Sequence, residues 1–335
     1  MNRKTHLAAY VVLAAALVAL FFLGLVRGAV RIPLGDVLRI LCGTFEGREA
    51  WRHIVLESRL PQAVTALLAG SSLAASGLML QTLFKNPLAG PSILGISDGA
   101  NLGVAVAMIY LGAASYLTTI VAALIGAFAV LLIIIGFSRK VSSNVMLLII
   151  GIMVGYLASS VISILNYHAS ADKVHQYVMW GMGDFSGVSL AKLPYLAAFS
   201  LAGLFGALLL VKPLNALLLG EAYATNLGIN VRRARLAILI CTGVLTAVIT
   251  AFCGPVSFVG LAVPHIARML LGGADHRHLL PVTLLSGACI ALLCSILTVM
   301  PGSNDVLPLS AITPIIGAPV ILYVIVSRKN LHYFN

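Results

Sequence analysis

Apolar residues in this chain fall into long continuous runs separated by short polar or Gly/Pro breaks, not into the alternating pattern of half-buried strands. About 20 apolar residues cross a bilayer as a helix. Lipid offers no hydrogen-bond partners, so a spanning backbone must bond internally as a helix or a closed barrel, and continuous runs select the helix. The breaks divide the chain into ten predicted spans, near residues 7–26, 60–82, 92–112, 115–137, 143–166, 191–211, 236–254, 256–271, 279–299 and 309–327. Between 236 and 271 only Gly254-Pro255 separates two spans. The N-terminal run follows Arg3 and Lys4 and exceeds a signal-peptide core, so it is expected to stay attached as the first span. The predicted fold is an all-α polytopic membrane protein of about ten transmembrane helices, one domain over residues 1–335.

Composition supports the same class. The 335 residues are 60% hydrophobic and only 9% charged, whereas a soluble domain carries about 25% charged residues. The net charge of +11 fits the excess of basic residues that membrane proteins keep on their cytoplasmic side. No Lys/Arg cluster lies on an aromatic-rich soluble segment, so nucleic-acid binding is not expected. With a cytoplasmic N-terminus, the inner loops would hold 13 of the Lys and Arg residues and the outer segments 8, six of those eight in one loop. An even number of spans places both termini in the cytoplasm.

Three segments outside the spans are long enough to carry function. The outer loop at about 27–59 ends in Glu57-Ser58-Arg59-Leu60-Pro61, and a second outer segment, 167–190, holds His168, Asp172, His175, Trp180 and Asp184. The inner loop at about 213–235 has helical apolar spacing over 214–227, with Gly228 as its stop and Arg232 and Arg233 beyond. Within the spans, Gly70, Gly77, Gly103, Gly151 and Gly155 are read as sites of close helix approach. Gly90-Pro91 with Gly95 is echoed some 164 residues later by Gly254-Pro255 with Gly260, on the opposite membrane face, as in inverted repeats.

The chemistry excluded is as informative. Gly95-Ile96-Ser97-Asp98-Gly99 matches the G-x-S-x-G elbow of serine hydrolases, but in a span and without an evident His partner. No Gly-Lys pair occurs, so a nucleotide-binding P-loop is absent. The cysteines Cys42, Cys241, Cys253, Cys289 and Cys294 show no metal or disulfide spacing. His276 and His278 are read as part of a solvated turn and not as metal ligands. All ten acidic residues are expected in loops or near span ends, with His265 the one deep ionisable side chain. Ion-coupled carriers place such groups inside the membrane, so energy is expected from outside the chain.

Five long segments carry a resemblance: RLPQAVTALLAGSSLAASGLMLQTLFKNPLAGPSILGISDGA (59–100), MWGMGDFSGV (179–188), LLLGEAYATNLGINVRRAR (217–235), CGPVSFVGLAVPHIARMLLGGADHRHLLP (253–281) and LPLSAITPIIGAPVILYV (307–324). In order and spacing they resemble the FecCD family, permease subunits of ABC importers for ferric siderophores, haem and cobalamin. The resemblance implies a permease domain of the cobalamin-importer type, paired with a second copy of itself. It also implies two ATPase subunits, which would hold ATP and Mg, and a periplasmic or lipid-anchored binding protein. The chain itself is then expected to hold no cofactor and to be no enzyme, in the inner (plasma) membrane.

The family's site residues carry over by position. Glu221, Leu227, Gly228, Arg232 and Arg233 match the loop that couples to the ATPase. Ser142, Ser143 and Asn144 match the cytoplasmic gate, and Met153 and Tyr156 are candidates for the pathway wall. Arg59 matches an outer arginine that docks the binding protein, although Gln62 stands where a second arginine is common. For His265 a packing and loop-orienting role is preferred to cargo ligation. Two rivals remain at this point: an ion-coupled secondary transporter working without an ATPase, and an intramembrane hydrolase using Ser97.

Overall fold

Each predicted span contains a helix in the computed structural model, which describes residues 3–28, 30–112, 115–141, 143–299 and 307–326. The helices are α1 (Arg3–Val26), α2 (Leu34–Leu41), α3 (Glu49–His53), α4 (Leu60–Phe84), α5 (Ile96–Ala105), α6 (Tyr116–Lys140), α7 (Asn144–His168) and α8 (Ala171–Gly181). They continue as α9 (Leu193–Leu209), α10 (Val211–Leu218), α11 (Glu221–Asn226), α12 (Val231–Cys253), α13 (Val259–Leu271), α14 (His276–Leu297) and α15 (Leu309–Val326). Six helical segments among the described residues are long and apolar enough to cross a membrane, or seven if the α9–α10 pair, bent by 49°, counts as one.

The outer loop is more helical than its polar sequence suggested. From Glu49 the chain runs as one 36-residue helix through α3 and α4 to Phe84, about 54 Å at 1.5 Å per residue. Pro61 has no N–H to offer the preceding turn. The helix absorbs this with a π-helical stretch over Ile54–Arg59, so Pro61 does not end it. The turn at the other end of α4 uses Lys85 in the left-handed region at φ 47°.

α4 is the axis of the bundle, with 89% of its most apolar window buried. It is approached by α14 and α13 at glycines. A Cβ on Gly70 would fall inside the backbone of Gly287, and one on Gly77 inside the carbonyl of Gly260. The predicted small-residue contacts at Gly103 and Gly151 also leave no room for a Cβ, which would fall inside the Ala122 carbonyl and lie 2.7 Å from that of Ile93.

Three of the ten segments are shorter apolar helices among the described residues, Ile96–Tyr110, Val259–Leu271 and Leu309–Val324, and the first two follow breaks in the chain. α13 has 13 residues, about 20 Å, against a hydrocarbon core of about 30 Å. It begins at mid-depth because the chain leaves α12 at Gly254 (φ 71°) and returns through residues 254–258 before Phe258 starts the helix at φ 65°. In the same way residues 85–90 run unwound into the bundle, and a single 3-10 turn over Pro91–Leu94 follows before α5 begins after Gly95 (φ 72°). The two breaks meet: Pro91 packs on Gly260, where a Cβ would lie 2.6 Å from the proline ring. A cavity of about 250 Å³ opens at this junction, lined in part by Ser92, Ser97, Ser257 and Phe258. The Gly-Pro echo in the sequence thus corresponds to two broken crossings in mutual contact.

Candidate functional site

The loop at 213–235 folds as two short helices instead of the single one expected over 214–227. Gly220, at φ 114°, breaks the segment between α10 and α11. Gly228 then ends α11 in the left-handed region at φ 78° with open space around it, so its requirement is backbone conformation and not packing. Leu227, Arg232 and Arg233 all face outward from the protomer. They form, with α11, an exposed surface of apolar and basic character.

Glu221, first residue of α11, turns inward. Its Oε1 accepts a hydrogen bond from Asn144 Nδ2 at 3.0 Å and from Arg235 Nη2 at 3.0 Å. Asn144 also donates to the Leu83 carbonyl at 3.0 Å, and Arg235 donates to the Val141 carbonyl at 3.3 Å. One carboxylate oxygen therefore joins α11 to the first residue of α7 and to the first turn of α12, and through Asn144 to the end of α4. The coupling and gate residues, separate in sequence, form one cluster. Arg235 was missed as a site residue: in Val231-Arg232-Arg233-Ala234-Arg235 it is the arginine on the buried helix face, 7% exposed. The available signal was its register with Ile238, Leu239 and Thr242, three, four and seven residues on and all buried, which sets Arg235 on the core face of α12.

Ser142 lies outside the described residues. Ser143 is the N-cap of α7, its hydroxyl accepting from the Met146 N–H at 3.4 Å. Met153 and Tyr156 lie further along α7 on a face left open in the protomer, 52% and 66% exposed.

A second set of bonds anchors α10. Asn215 Nδ2 donates to Asp275 Oδ1 at 2.6 Å, and its Oδ1 accepts from the His276 N–H and faces His276 Nδ1, each at 2.8 Å. Because that oxygen only accepts, Nδ1 carries the imidazole proton, and Nε2 lies 2.9 Å from the Thr82 hydroxyl, whose one proton it shares with the Leu78 carbonyl at 2.9 Å. Burial pushes the Asp275 carboxyl up, but the Arg277 N–H, the Asn215 amide and the Arg277 charge outweigh it and hold it below its ordinary value. His276 corrects the expectation of a solvated turn: its ring is fully buried between α4 and α10, and only His278 is exposed. His265 is also fully buried and binds the Pro87 carbonyl at 2.7 Å. Neighbouring Arg268 donates to Gln81 Oε1 at 2.6 Å. The first contact pins the unwound segment 85–90 to α13, and the second ties α13 to the end of α4.

Arg59 is a correction. It is 7% exposed, and its guanidinium donates to the carbonyls of Leu25 (2.8 Å), Val26 (3.0 Å) and Val30. The first two carbonyls end α1, where the helix leaves its last acceptors unsatisfied, and the third lies in the chain beyond it. A side chain so engaged does not reach a docking protein; the exposed arginines of this layer include Arg39, Arg48 and Arg52. Arg59→Met is expected to lower stability by about 1–3 kcal/mol, read as a lower unfolding midpoint in detergent, with capture of the binding protein unchanged. Lost capture at unchanged stability would return Arg59 to the docking surface.

Two further sequence expectations change. Ser97 Oγ lies 3.3 Å from the Thr250 hydroxyl, a partner that is no general base, so the elbow motif does not assemble a nucleophile. Asp98 is not near a span end. α5 starts inside the bundle, and Asp98 sits against Gly155, whose Cβ would lie 2.6 Å from its Oδ2. Gly155 is eleven residues into α7, about 16 Å along it and hence near the middle of the membrane.

Comparison with known proteins adds four findings. The model of the FecCD transport family matches residues 16–327. The hemin transport system permease protein HmuU of Yersinia pestis is 34% identical over 297 residues, covering 87% of this chain and 88% of the relative. The vitamin B12 import system permease protein BtuC of Klebsiella pneumoniae is 34% identical over 277 residues, covering 82% and 83%. A solved inward-facing conformation of a metal-chelate type ABC transporter superposes with a TM-score of 0.84 at 30% identity, covering 98% of this chain and 100% of that one.

Proposed function

The chain belongs to the FecCD transport family, and on that premise we propose that it is the membrane-spanning permease subunit of an ATP-driven importer for an iron complex (ferric siderophore or haem) or cobalamin. The observation that carries the mechanism is the shared oxygen of Glu221. It links the exposed helix α11 to the first residue of α7 and to α12, so a push on α11 reaches the helix whose open face bears Met153 and Tyr156. Relatives named for hemin and vitamin B12 support a bulky chelate as cargo. ATP and Mg belong to two partner ATPase subunits that press on α11, Leu227 and Arg232. A second copy of this chain covers the open face of α7. A substrate-binding protein meets the opposite end of the bundle, on the layer of α2 and α3. The excess of basic residues on the predicted inner loops supports a reading with both termini in the cytoplasm and the chain in the inner (plasma) membrane.

The test is uptake of labelled cobalamin, haem and a panel of ferric siderophores by cells with and without the chain. Uptake of one cargo is expected to need both this chain and a co-purifying ATPase. No dependence for any cargo would overturn the cargo class. The rival, an ion-coupled carrier, gains one observation in the mid-membrane carboxylate of Asp98. Uptake that persists without any ATPase partner would favour it.

A further inference from the structure

Among the acidic side chains, Asp98 alone lies deep in the bundle among the described residues, and it forms no hydrogen bond or salt bridge there. Its place in the first turn of α5 complements the helix dipole. That would account for a carboxylate at this position and for nothing around it.

The surroundings are polar in one direction only. On α7, beside the Gly155 notch, Tyr156, Ser159, Ser163 and Asn166 recur at spacings of three, four and three, which puts them along one edge of the helix. Tyr156, Ser159 and Ser163 are exposed in the protomer. The other exposed edge carries Leu157, Val161 and Ile164. A membrane helix with an aliphatic edge and a hydroxyl edge meets two different media, lipid on one side and something polar on the other. The Oδ1 atoms of Asn101, one turn beyond Asp98, and of Asn166 are both buried without a hydrogen-bond partner among the described residues. Each is an acceptor awaiting a donor. Tyr177 of α8 closes the region from above: its phenol is pushed up to about 12 by burial and by the Asp98 charge.

We propose that Asp98, with Ser159 and Ser163 and backed by the buried acceptors of Asn101 and Asn166, lines the half of the translocation pathway remote from α11. This lining favours cargo that presents a cation or several N–H and O–H donors, and it disfavours anionic groups. The proposal rests on the importer reading for the word cargo. One carboxylate per protomer with neutral acceptors, and no cation bonded to it, gives the lining a negative potential where water is scarce and screening weak.

The experiment is cysteine accessibility in membrane vesicles of the full chain, in a Cys42→Ser background because Cys42 is exposed. Ser159→Cys, Ser163→Cys and Val161→Cys are each reacted with a cationic trimethylammonioethyl and an anionic sulfonatoethyl methanethiosulfonate. Rates are normalised to each reagent's rate with a free thiol in solution. The two serine positions should react, with a normalised preference of about tenfold for the cation, while Val161→Cys stays unreactive. Asp98→Asn should bring the preference close to one, and Asp98→Glu should keep it. Serine positions as unreactive as Val161→Cys would overturn the proposal, as would a preference untouched by Asp98→Asn. Should Asp98→Asn fail to fold, an unbiased rate ratio with Asp98 in place overturns it alone. The labelling needs neither ATPase nor cargo, so it can fail while the uptake assay succeeds, and the reverse.

Discussion

Glu221→Ala is expected to leave ATP hydrolysis running in the transporter reconstituted with its ATPase while cargo uptake falls about tenfold or more. The carboxylate accepts one bond from a buried guanidinium and one from an amide. A hydrogen bond to a charged group is worth about 1.5–3 kcal/mol. The Glu221 side chain is 45% exposed, and water screens it, so about 1–2 kcal/mol is the defensible share. A loss of about 1.4 kcal/mol in the coupling free energy between α11 and α7 is a factor of ten. Glu221→Gln keeps an acceptor for Asn144 and drops the charge, so it should fall between wild type and Glu221→Ala. Assembly of the permease should be unaffected, because α11 touches the bundle only at its inward face. Unimpaired uptake by Glu221→Ala would sink the assignment of this cluster as the coupling joint.

The largest effect on the fold is expected from Gly77→Ala. Here backbone meets backbone, with the Gly260 carbonyl filling the space a Cβ needs. No flexible side chain stands between them to yield. Overpacking typically costs 1–3 kcal/mol and occasionally more, and a rigid contact belongs at the upper end, about 3 kcal/mol. α13 would have to leave α4, taking with it the Gln81–Arg268 bond. Gly136→Ala, in α6, is the control. Its Cβ would meet nothing within 4 Å, and alanine is favoured over glycine in a helix interior by about 1 kcal/mol. Unfolding midpoints in detergent should therefore move in opposite directions. Equal midpoints would mean that the α4–α13 contact yields to a methyl group.

Much of this architecture was legible because lipid simplifies the code. With no water to satisfy the backbone, every apolar run had to become a helix, and the glycines at 70, 77, 103, 151 and 155 had few roles open to them but close approach. What could not be read was depth. Hydropathy treats residues 92–112 as one span with Asp98 at its edge, yet the helix starts in mid-bundle because Gly95 and Pro91 are held against Gly155 and Gly260. The same blindness hid the partners of buried cations. Arg59 and Arg235 sit among charges in the sequence, and only packing shows that one closes the end of α1 and the other holds Glu221. Periodicity reports which face a residue occupies. It does not report what comes to lie opposite from a helix far along the chain.

The central position of α4 has a consequence for biosynthesis. Gln81 of α4 bonds the carbonyl of Leu261, 180 residues downstream, and His276, which pairs with Thr82, comes later still. At translation speeds of about 5–20 residues per second, α4 waits roughly 10–40 s for the helices that will cover it. During that interval its glutamine, threonines and serines have neither lipid-compatible surroundings nor native partners. The nascent chain must therefore be sheltered at the insertion machinery, or must borrow neighbours, until α13 and α14 emerge. Slowing elongation after α12 would lengthen the exposure and make degradation of the half-finished chain the outcome that competes with assembly.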